Sequence, residues 1–142
     1  MLIAIFGESC TGKSTLAASL AYKINAEVYT GRDYLRLAKN EAIAARLFRT
    51  RMTEALTGRN LVYVISQKEH LTLLPKGCIR ILVTADLETI KDRFAHRMNG
   101  NLPAPVSAML ERSHGCFDQE PCDFHVRSGV TDLEEICSHI IP

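Results

Sequence analysis

One glycine-rich segment near the start of the chain carries the clearest chemical signal. Residues 7–14 read GESCTGKS and match the pattern G-x-x-x-x-G-K-[ST] at every fixed position. Glycines let the backbone curl so that successive N–H groups point at phosphate oxygens, and a following helix adds positive potential at its N-terminus. The sequence therefore predicts a phosphate-binding loop. Its residues are Gly7, Glu8, Ser9, Cys10, Thr11, Gly12, Lys13, Ser14 and Thr15.

Three side chains of this loop have predicted tasks of their own. The Lys13 ammonium is expected to reach the outer phosphates of a nucleotide, and the Ser14 hydroxyl to coordinate Mg²⁺. Thr15 is expected nearer the inner phosphate. The alternative is a glycine-rich connector without function, which the match at every fixed position disfavours.

The elements around this loop alternate between short apolar strands and amphipathic helices. Strands are predicted at residues 2–6, 27–29, 61–65, 79–83 and 123–126. Helices are predicted from residue 13 to about 24, over 33–58 with a break near 40, over 86–98 and 106–113, and at the C-terminal end. This order favours a three-layer α/β/α fold of the P-loop NTPase type, with a five-stranded parallel sheet in a single domain spanning residues 1–142. Ligands of such sheets bind beyond the carboxyl ends of the strands.

Helix boundaries and buried faces can be predicted in more detail. Asp86 is expected to cap its helix, and Thr131 with Glu134 forms a capping-box pattern for the last helix. Gly58 stands where a glycine commonly ends a helix. The predicted inward stripe of the 33–58 segment is Ile43, Leu47, Phe48 and Met52.

Composition excludes several classes of protein. Of the 142 residues, 46% are hydrophobic and 23% charged, and the formal net charge is +1. These values are those of an ordinary globular chain, and they exclude a disordered chain, a collagen-like repeat and an extended coiled coil. They give no indication of nucleic-acid or membrane binding. An odd count of five cysteines is a poor disulfide framework. We expect a soluble, cytoplasmic protein.

Two nucleotide-binding classes lack their signals. No N-K-x-D motif for reading guanine is present, and the strand at 61–65 is followed by Ser66 instead of an acidic residue. The chain is therefore neither a typical GTPase nor a typical large ATPase.

Three segments together resemble the nucleoside monophosphate kinases, and most closely the cytidylate kinase-like and adenylate kinase-like proteins. They are GESCTGKSTLA at the first strand, TGRDYLR at 30–36 and DRFAHR at 92–97. The resemblance implies transfer of the γ-phosphoryl group of ATP to a nucleoside monophosphate-like acceptor. It implies that residues 33–58 bind the acceptor and that Arg36 grips its phosphate. Asp33 is then an acceptor ligand or general base, or else a helix cap. The segment TGRDYLR is one residue longer than the corresponding motif of the family. Tyr29 stands where the cytidylate kinases carry Asp.

The same resemblance assigns residues to the closing side of the site. Arg93 and Arg97 lie four residues apart, hence on one helix face, and are expected to close over the transferring phosphoryl group. Residues 99–105 would form a short lid loop, with Arg112 on its return side. The segment from Arg127 to Gly129 is a candidate for contact with the donor base. Each arginine has the alternative of an exposed surface position.

Some alternatives stay open at this stage. If the protein is a kinase, its acceptor is a small molecule, either nucleotide-like or a hydroxylated metabolite as in the shikimate and gluconate kinases. The third interpretation is a non-catalytic regulatory protein that binds ATP. The pattern of four basic residues predicts an exposed helix face more than an acceptor site: Arg46, Arg49, Arg51 and Arg59.

A zinc site is a further alternative, formed by His114, Cys116, Cys122 and His125. Their spacing is not that of a regular zinc-binding motif, which favours residues that bind no metal.

Overall fold

A five-stranded parallel sheet forms the centre of the protein. The computed structural model describes residues 1–141. Within that range the strands are β1 (Leu2–Phe6), β2 (Glu27–Thr30), β3 (Leu61–Ile65), β4 (Ile79–Thr84) and β5 (Phe124–Arg127). Their order in the sheet is β2-β3-β1-β4-β5, and every neighbouring pair is parallel. The predicted α/β fold class is therefore confirmed.

Both faces of the sheet are covered, which explains why its central strands read as continuous apolar runs. Every residue of β1 and β3 is buried. Ile3 and Ile5 face a core shared with helix α1 (Lys13–Ile24) and helix α5 (Leu133–Ile140). Leu2 and Phe6 face the opposite core, which includes helix α2 (Glu41–Ala55). Alternate side chains thus serve two cores, as a sheet enclosed by helices requires.

The remaining helices follow the ends of strands. Helices α3 (Leu87–Arg97) and α4 (Ala104–Ser113) pack against each other between β4 and β5. Two 3-10 helices, Asp33–Leu37 and Lys68–Leu73, follow β2 and β3, and the second of these was not predicted. Within residues 1–141, no helix has the length and apolar character needed to cross a membrane.

The predicted break near residue 40 and the cap at Asp86 are both present. The side chain of Asn40 accepts a hydrogen bond from the Ile43 N–H, so α2 starts afresh after the first 3-10 helix. The side chain of Asp86 accepts from the Thr89 N–H at 2.8 Å. Each cap satisfies an N–H group that the first turn of a helix leaves without an intrahelical partner.

The buried face of α2 differs in part from the prediction. Phe48 and Met52 are buried as predicted, but Ile43 and Leu47, which were also expected to point inward, are each 41% exposed. The buried residues are Ala44, Phe48, Met52 and Ala55. Alanines let the helix approach the sheet closely, so the buried stripe is rotated toward Ala44 and Ala55 and away from Ile43 and Leu47.

Two predicted helix ends were also wrong. Gly58 is absent from the glycines with positive φ, and α2 already ends at Ala55. The last helix is capped by Asp132, whose carboxylate accepts from the Glu134 N–H at 3.0 Å. Thr131 instead accepts from the Arg127 N–H at 2.8 Å and closes the turn after β5. The Thr131 hydroxyl therefore serves the turn that precedes the helix, and Asp132 caps the helix in its place.

The predicted lid loop at 99–105 is shorter in the structure. Helix α4 begins at Ala104, so Pro105 lies in its first turn, where the missing N–H of proline carries no penalty. The connection between α3 and α4 therefore spans only residues 98–103.

The rotated face of α2 gives a stability prediction. Phe48 is fully buried, with its ring 4.8 Å from the rings of both Tyr29 and Tyr63. Phe48→Ala should lower the free energy of unfolding by about 3–5 kcal/mol, because it leaves a large cavity. The neighbouring Leu47→Ala should lower it by less than about 1 kcal/mol, because Leu47 is half-exposed. Urea denaturation followed by circular dichroism measures both, and equal losses would contradict this orientation of α2.

Candidate active site

The candidate site lies at the edge of the sheet where the carboxyl ends of all five strands meet. The turns that follow the strands are fixed by backbone hydrogen bonds to neighbouring strands. Gly7 N–H donates to the Ile65 carbonyl at 3.2 Å, Gly31 N–H to Val64 at 2.9 Å, and Ser128 N–H to Thr84 at 2.8 Å. The loops after β1, β2 and β5 therefore start from rigid positions.

The phosphate loop is built by residues that tolerate unusual backbone positions. A Cβ on Gly7 would overlap the carbonyl oxygen of Val83 on β4, so only glycine fits there. Cys10 and Gly12 have φ of +63° and +98°, and α1 begins directly afterwards at Lys13. Such left-handed residues turn successive N–H groups toward one point, which is the arrangement that binds phosphate oxygens. The Cys10 side chain is buried against Ile90 of α3 and Leu110 of α4.

Lys13 is buried inside this loop. Its Nζ donates to the Glu8 carbonyl at 2.5 Å, and the Thr11 hydroxyl donates to the same oxygen at 2.9 Å. Burial lowers the pKa of Lys13 to about 8; positive Arg97 also lowers it, while Cys10 and Glu8 oppose the change. An anion that replaced the lost hydration would raise this pKa again.

A cavity of about 400 Å³ unites three of the segments that the sequence singled out. It lies between the phosphate loop, α3 and the turn after β5. The predicted site residues that line it are Cys10, Thr11, Gly12, Thr15, Arg93, Arg97, Arg127, Ser128 and Gly129. We call it the donor cavity.

Arg93 spans this donor cavity. Its guanidinium donates to the Cys10 carbonyl at 3.0 Å and to the Ser128 hydroxyl at 2.8 Å. The side chain thereby connects the phosphate loop with the turn after β5. Arg97 lies one helical turn further along α3 and lines the same cavity. Two arginine side chains therefore line the space next to the loop.

Glu8 ties the phosphate loop to the segment after α4. Its carboxylate lies 3.1 Å from Nδ1 of His114 and accepts from the Gly115 N–H at 3.2 Å. Its side chain is only 9% exposed. These contacts join residues more than 100 positions apart in the chain, and no local pattern indicated them.

Two more loop residues, Ser9 and Ser14, are exposed, Ser14 in the first turn of α1. The hydroxyl of Ser14 is therefore accessible to a ligand.

The residues predicted to bind the acceptor lie outside the donor cavity. The Asp33 carboxylate accepts from the Thr30 N–H at 2.9 Å and closes the turn after β2. The helix cap considered as its alternative is not formed, because the 3-10 helix begins at Asp33 itself and has no side-chain cap. The Arg36 guanidinium lies 5.7 Å from the centre of the Tyr29 ring. Tyr29 itself is 2% exposed and belongs to the core. In this structure Asp33 and Arg36 are held by their own neighbours.

The remaining arginines are surface residues. Arg46, Arg49 and Arg112 are exposed. Arg51 pairs with Glu27 at 3.6 Å, and it lines, together with Arg59, a cavity at the amino end of β3, opposite the candidate site. The solvated face favoured by the sequence fits these positions.

The four histidines and cysteines weighed as a zinc site do not converge. His114 contacts Glu8, and the Nε2 of His125 lies 2.8 Å from the Thr84 hydroxyl. Cys116 and Cys122 are exposed and free. Among residues 1–141, no group of three or more His, Cys, Asp or Glu side chains is placed to hold a metal ion.

Comparison with known proteins gives a likeness of structure without one of sequence. No known protein family matches the chain, and no curated protein matches it by sequence. Among solved structures, the gluconokinase of Sinorhizobium meliloti 1021 superposes with a TM-score of 0.61 at 15% identity, covering 96% of this chain and 86% of that one.

Two further structures match over nearly the whole chain. Shikimate kinase from Acinetobacter baumannii, solved with shikimate, has a TM-score of 0.62 and 17% identity, and the match covers 99% of this chain and 90% of that one. The YorR protein of Bacillus subtilis, solved with phosphorylated GDP, has a TM-score of 0.62 and 20% identity, covering 99% and 94%. The nucleoside monophosphate kinase subtype stays a prediction, and this protein has the fold that small P-loop kinases share.

Proposed function

We propose that this protein is a small kinase that transfers the γ-phosphoryl group of ATP to a small-molecule acceptor. The observation that carries this proposal is the donor cavity, where the phosphate loop meets Arg93, Arg97 and the turn at 127–129. A phosphate loop alone is consistent with binding only. Arginines that line the same space supply the positive charge that a transferring phosphoryl group needs.

The residues present fit ATP with Mg²⁺. The N–H groups of the phosphate loop and the Lys13 ammonium would hold the outer phosphates of ATP. Residues 127–129 would lie next to its adenine base. The exposed Ser14 hydroxyl would hold Mg²⁺, with phosphate oxygens and waters completing its preferred oxygen shell. The bound ion supplies neutralisation of charge on the phosphates.

Binding of phosphate would add a contact to Lys13. Its ammonium has three N–H donors and gives one to the Glu8 carbonyl, so it would turn the others toward a phosphate oxygen. Burial lowers the pKa of Lys13 to about 8 because it removes water from the positive charge. A negatively charged phosphate oxygen would stabilise that charge in place of the lost water. Lys13 then orients the phosphoryl group, while Arg93 and Arg97 stabilise charge that develops on it during transfer. Catalysis rests on positioning and electrostatics.

The acceptor is proposed to enter from the side of β2 and β3. Asp33 and Arg36 follow β2, and Tyr63 of β3 fixes their turn because its hydroxyl donates to the Gly31 carbonyl at 2.7 Å. Burial raises the pKa of Tyr63, so this donor keeps its proton. A nucleoside monophosphate-like acceptor, with Arg36 moving to its phosphate, follows from the sequence. A hydroxylated metabolite, with Asp33 as hydroxyl ligand or base, is the second candidate, favoured by the likeness to gluconate and shikimate kinases.

A transfer assay tests this function directly. We expect the protein to convert ATP to ADP in the presence of one acceptor from a panel of nucleoside monophosphates and small hydroxylated metabolites. Lys13→Ala should lower kcat/KM by about 100-fold or more, because the transferring group loses its main cation. Lys23→Ala, at the exposed end of the same helix, is the matched control and should stay within about threefold. ATP binding without turnover on any acceptor would favour the regulatory alternative.

The pKa of Lys13 gives a pH prediction. The free protein binds this proton with a pKa of about 8, and bound phosphate holds the proton more tightly. Affinity for ATP is therefore full only well below pH 8 and falls as pH rises through 8. From pH 7.5 to 9 the Kd of ATP should rise about eightfold, as measured by calorimetry. Lys13→Arg, whose guanidinium stays charged, should bind with a flat profile over this range. An equally steep profile in that variant would assign the titration to another group.

The arginines of α3 give a further test. Arg97→Ala should lower kcat by about 100-fold while the KM of ATP changes less, because the guanidinium acts mainly on charge in the transition state. His96→Ala, at the adjacent position of the same helix, should leave both constants within about twofold. A loss confined to the KM of ATP would show that Arg97 binds ground-state nucleotide only.

A further inference from the structure

A second cavity lies at the carboxyl ends of β2 and β3 and has a volume of about 360 Å³. It is bounded by the two 3-10 helices and the start of α2. Since β3 is next to β1 on one side and β4 is next to β1 on the other, this cavity and the donor cavity lie on opposite sides of the phosphate loop. Its lining residues include Arg32, Tyr34, Gln67, Glu69 and His70. We call it the distal cavity.

His70 is the unusual residue of this cavity. It is 7% exposed, and its Nδ1 is completely buried. Within residues 1–141, no group forms a hydrogen bond with that nitrogen. An unpaired polar atom in a protein interior is destabilising, and an apolar side chain of similar size would fill the same space without that cost. Packing alone therefore does not account for a histidine here.

The imidazole is positioned to contact a ligand. Its ring lies 6.2 Å from the ring of Tyr34 and 6.4 Å from that of Tyr63. Tyr34 is held flat against Phe48, with centroids 5.4 Å apart and planes 5° from parallel. His70 lines the distal cavity, and a half-turn of the ring about its Cβ–Cγ bond would exchange the positions of Nδ1 and Cδ2. A hydroxyl or amide group in the cavity would supply the hydrogen bond that His70 lacks.

Charge limits what this ligand can be. Arg32 is paired with Glu41 at 3.4 Å across the cavity rim, and Glu69 adds a further carboxylate. The lining thus has a small excess of negative charge, which disfavours a carboxylate or phosphate. Gln67, Thr72 and His70 offer donors and acceptors suited to uncharged hydroxyl and amide groups.

We propose that the distal cavity binds the uncharged, hydrogen-bonding part of the phosphoryl acceptor, such as a sugar or nucleobase ring, and that His70 recognises it. This inference rests on the proposed function, because it takes the acceptor site to lie on the β2 and β3 side of the phosphate loop. The acceptor group that receives phosphate would then point toward Lys13.

Binding measurements test the proposal without turnover. The Lys13→Ala protein is titrated with two matched pairs of probes, uridine with orotidine and D-glucose with D-glucuronate, and the melting temperature is recorded. We expect at least one uncharged member to raise the melting temperature and its carboxylate analogue to raise it less. Binding of none of the four probes, or stronger binding of the carboxylate members, would overturn the proposal.

Variants of His70 separate recognition from packing. His70→Leu should raise the melting temperature of the free protein by about 3 °C, because it removes the unpaired nitrogen. The same variant should abolish the shift given by the uncharged probe, while His70→Gln should retain it. Unchanged probe binding in His70→Leu, or a lower melting temperature of the free protein, would show that His70 is only a packing residue.

Kinetics then distinguish the two proposals. With an acceptor that supports turnover, His70→Leu should raise the KM of the acceptor about tenfold or more and leave the KM of ATP within about twofold. Absence of turnover in the wild-type protein, together with probe binding that depends on His70, would contradict the kinase and retain the distal cavity. Turnover with an acceptor KM that is insensitive to His70→Leu would contradict the distal cavity and retain the kinase.

Discussion

The place of β1 between β3 and β4 determines where every candidate functional group lies. Parallel pairing on both sides brings the ends of these three strands to one edge, and the phosphate loop leaves from its middle. The close approach of Gly7 to the Val83 carbonyl shows how tightly β4 fixes the start of that loop. With the loop central, ligands can approach it from both sides. The donor cavity lies toward β4 and β5, and the distal cavity toward β2 and β3.

The phosphate loop is held in shape by contacts from distant parts of the chain. Arg93 of α3 holds the Cys10 carbonyl, and His114 and Gly115 beyond α4 hold the Glu8 carboxylate. Helices α3 and α4 also pack against the Cys10 side chain. The helical pair between β4 and β5 therefore contacts the loop at two separate points, so a movement of this pair acts directly on the loop.

The sequence predicted most features that depend on one short segment and missed those in which several groups compete for one position or partner. The strand–loop–helix arrangement around residues 7–14, the five strands and the Asp86 cap follow from short-range signals of spacing and residue type. The buried face of α2 was predicted only in part: Phe48 and Met52 are buried, but Ala44 and Ala55, which are weak signals, are buried where Ile43 and Leu47 were expected. Thr131 was misassigned because the strand end at Arg127 uses its hydroxyl. The Glu8–His114 contact and the unpaired nitrogen of His70 have no signature in the sequence.

Two cations of the site are bound to the carbonyl groups of the loop that they would serve. Lys13 holds the Glu8 carbonyl, and Arg93 holds the Cys10 carbonyl. Under the proposed function, both cations would also contact the bound anion. A single phosphate that meets only Lys13 would gain one such contact, whereas a chain of phosphates long enough to meet Lys13 and Arg93 would gain two. The proposed site would therefore select for the length of a polyphosphate as well as for its charge.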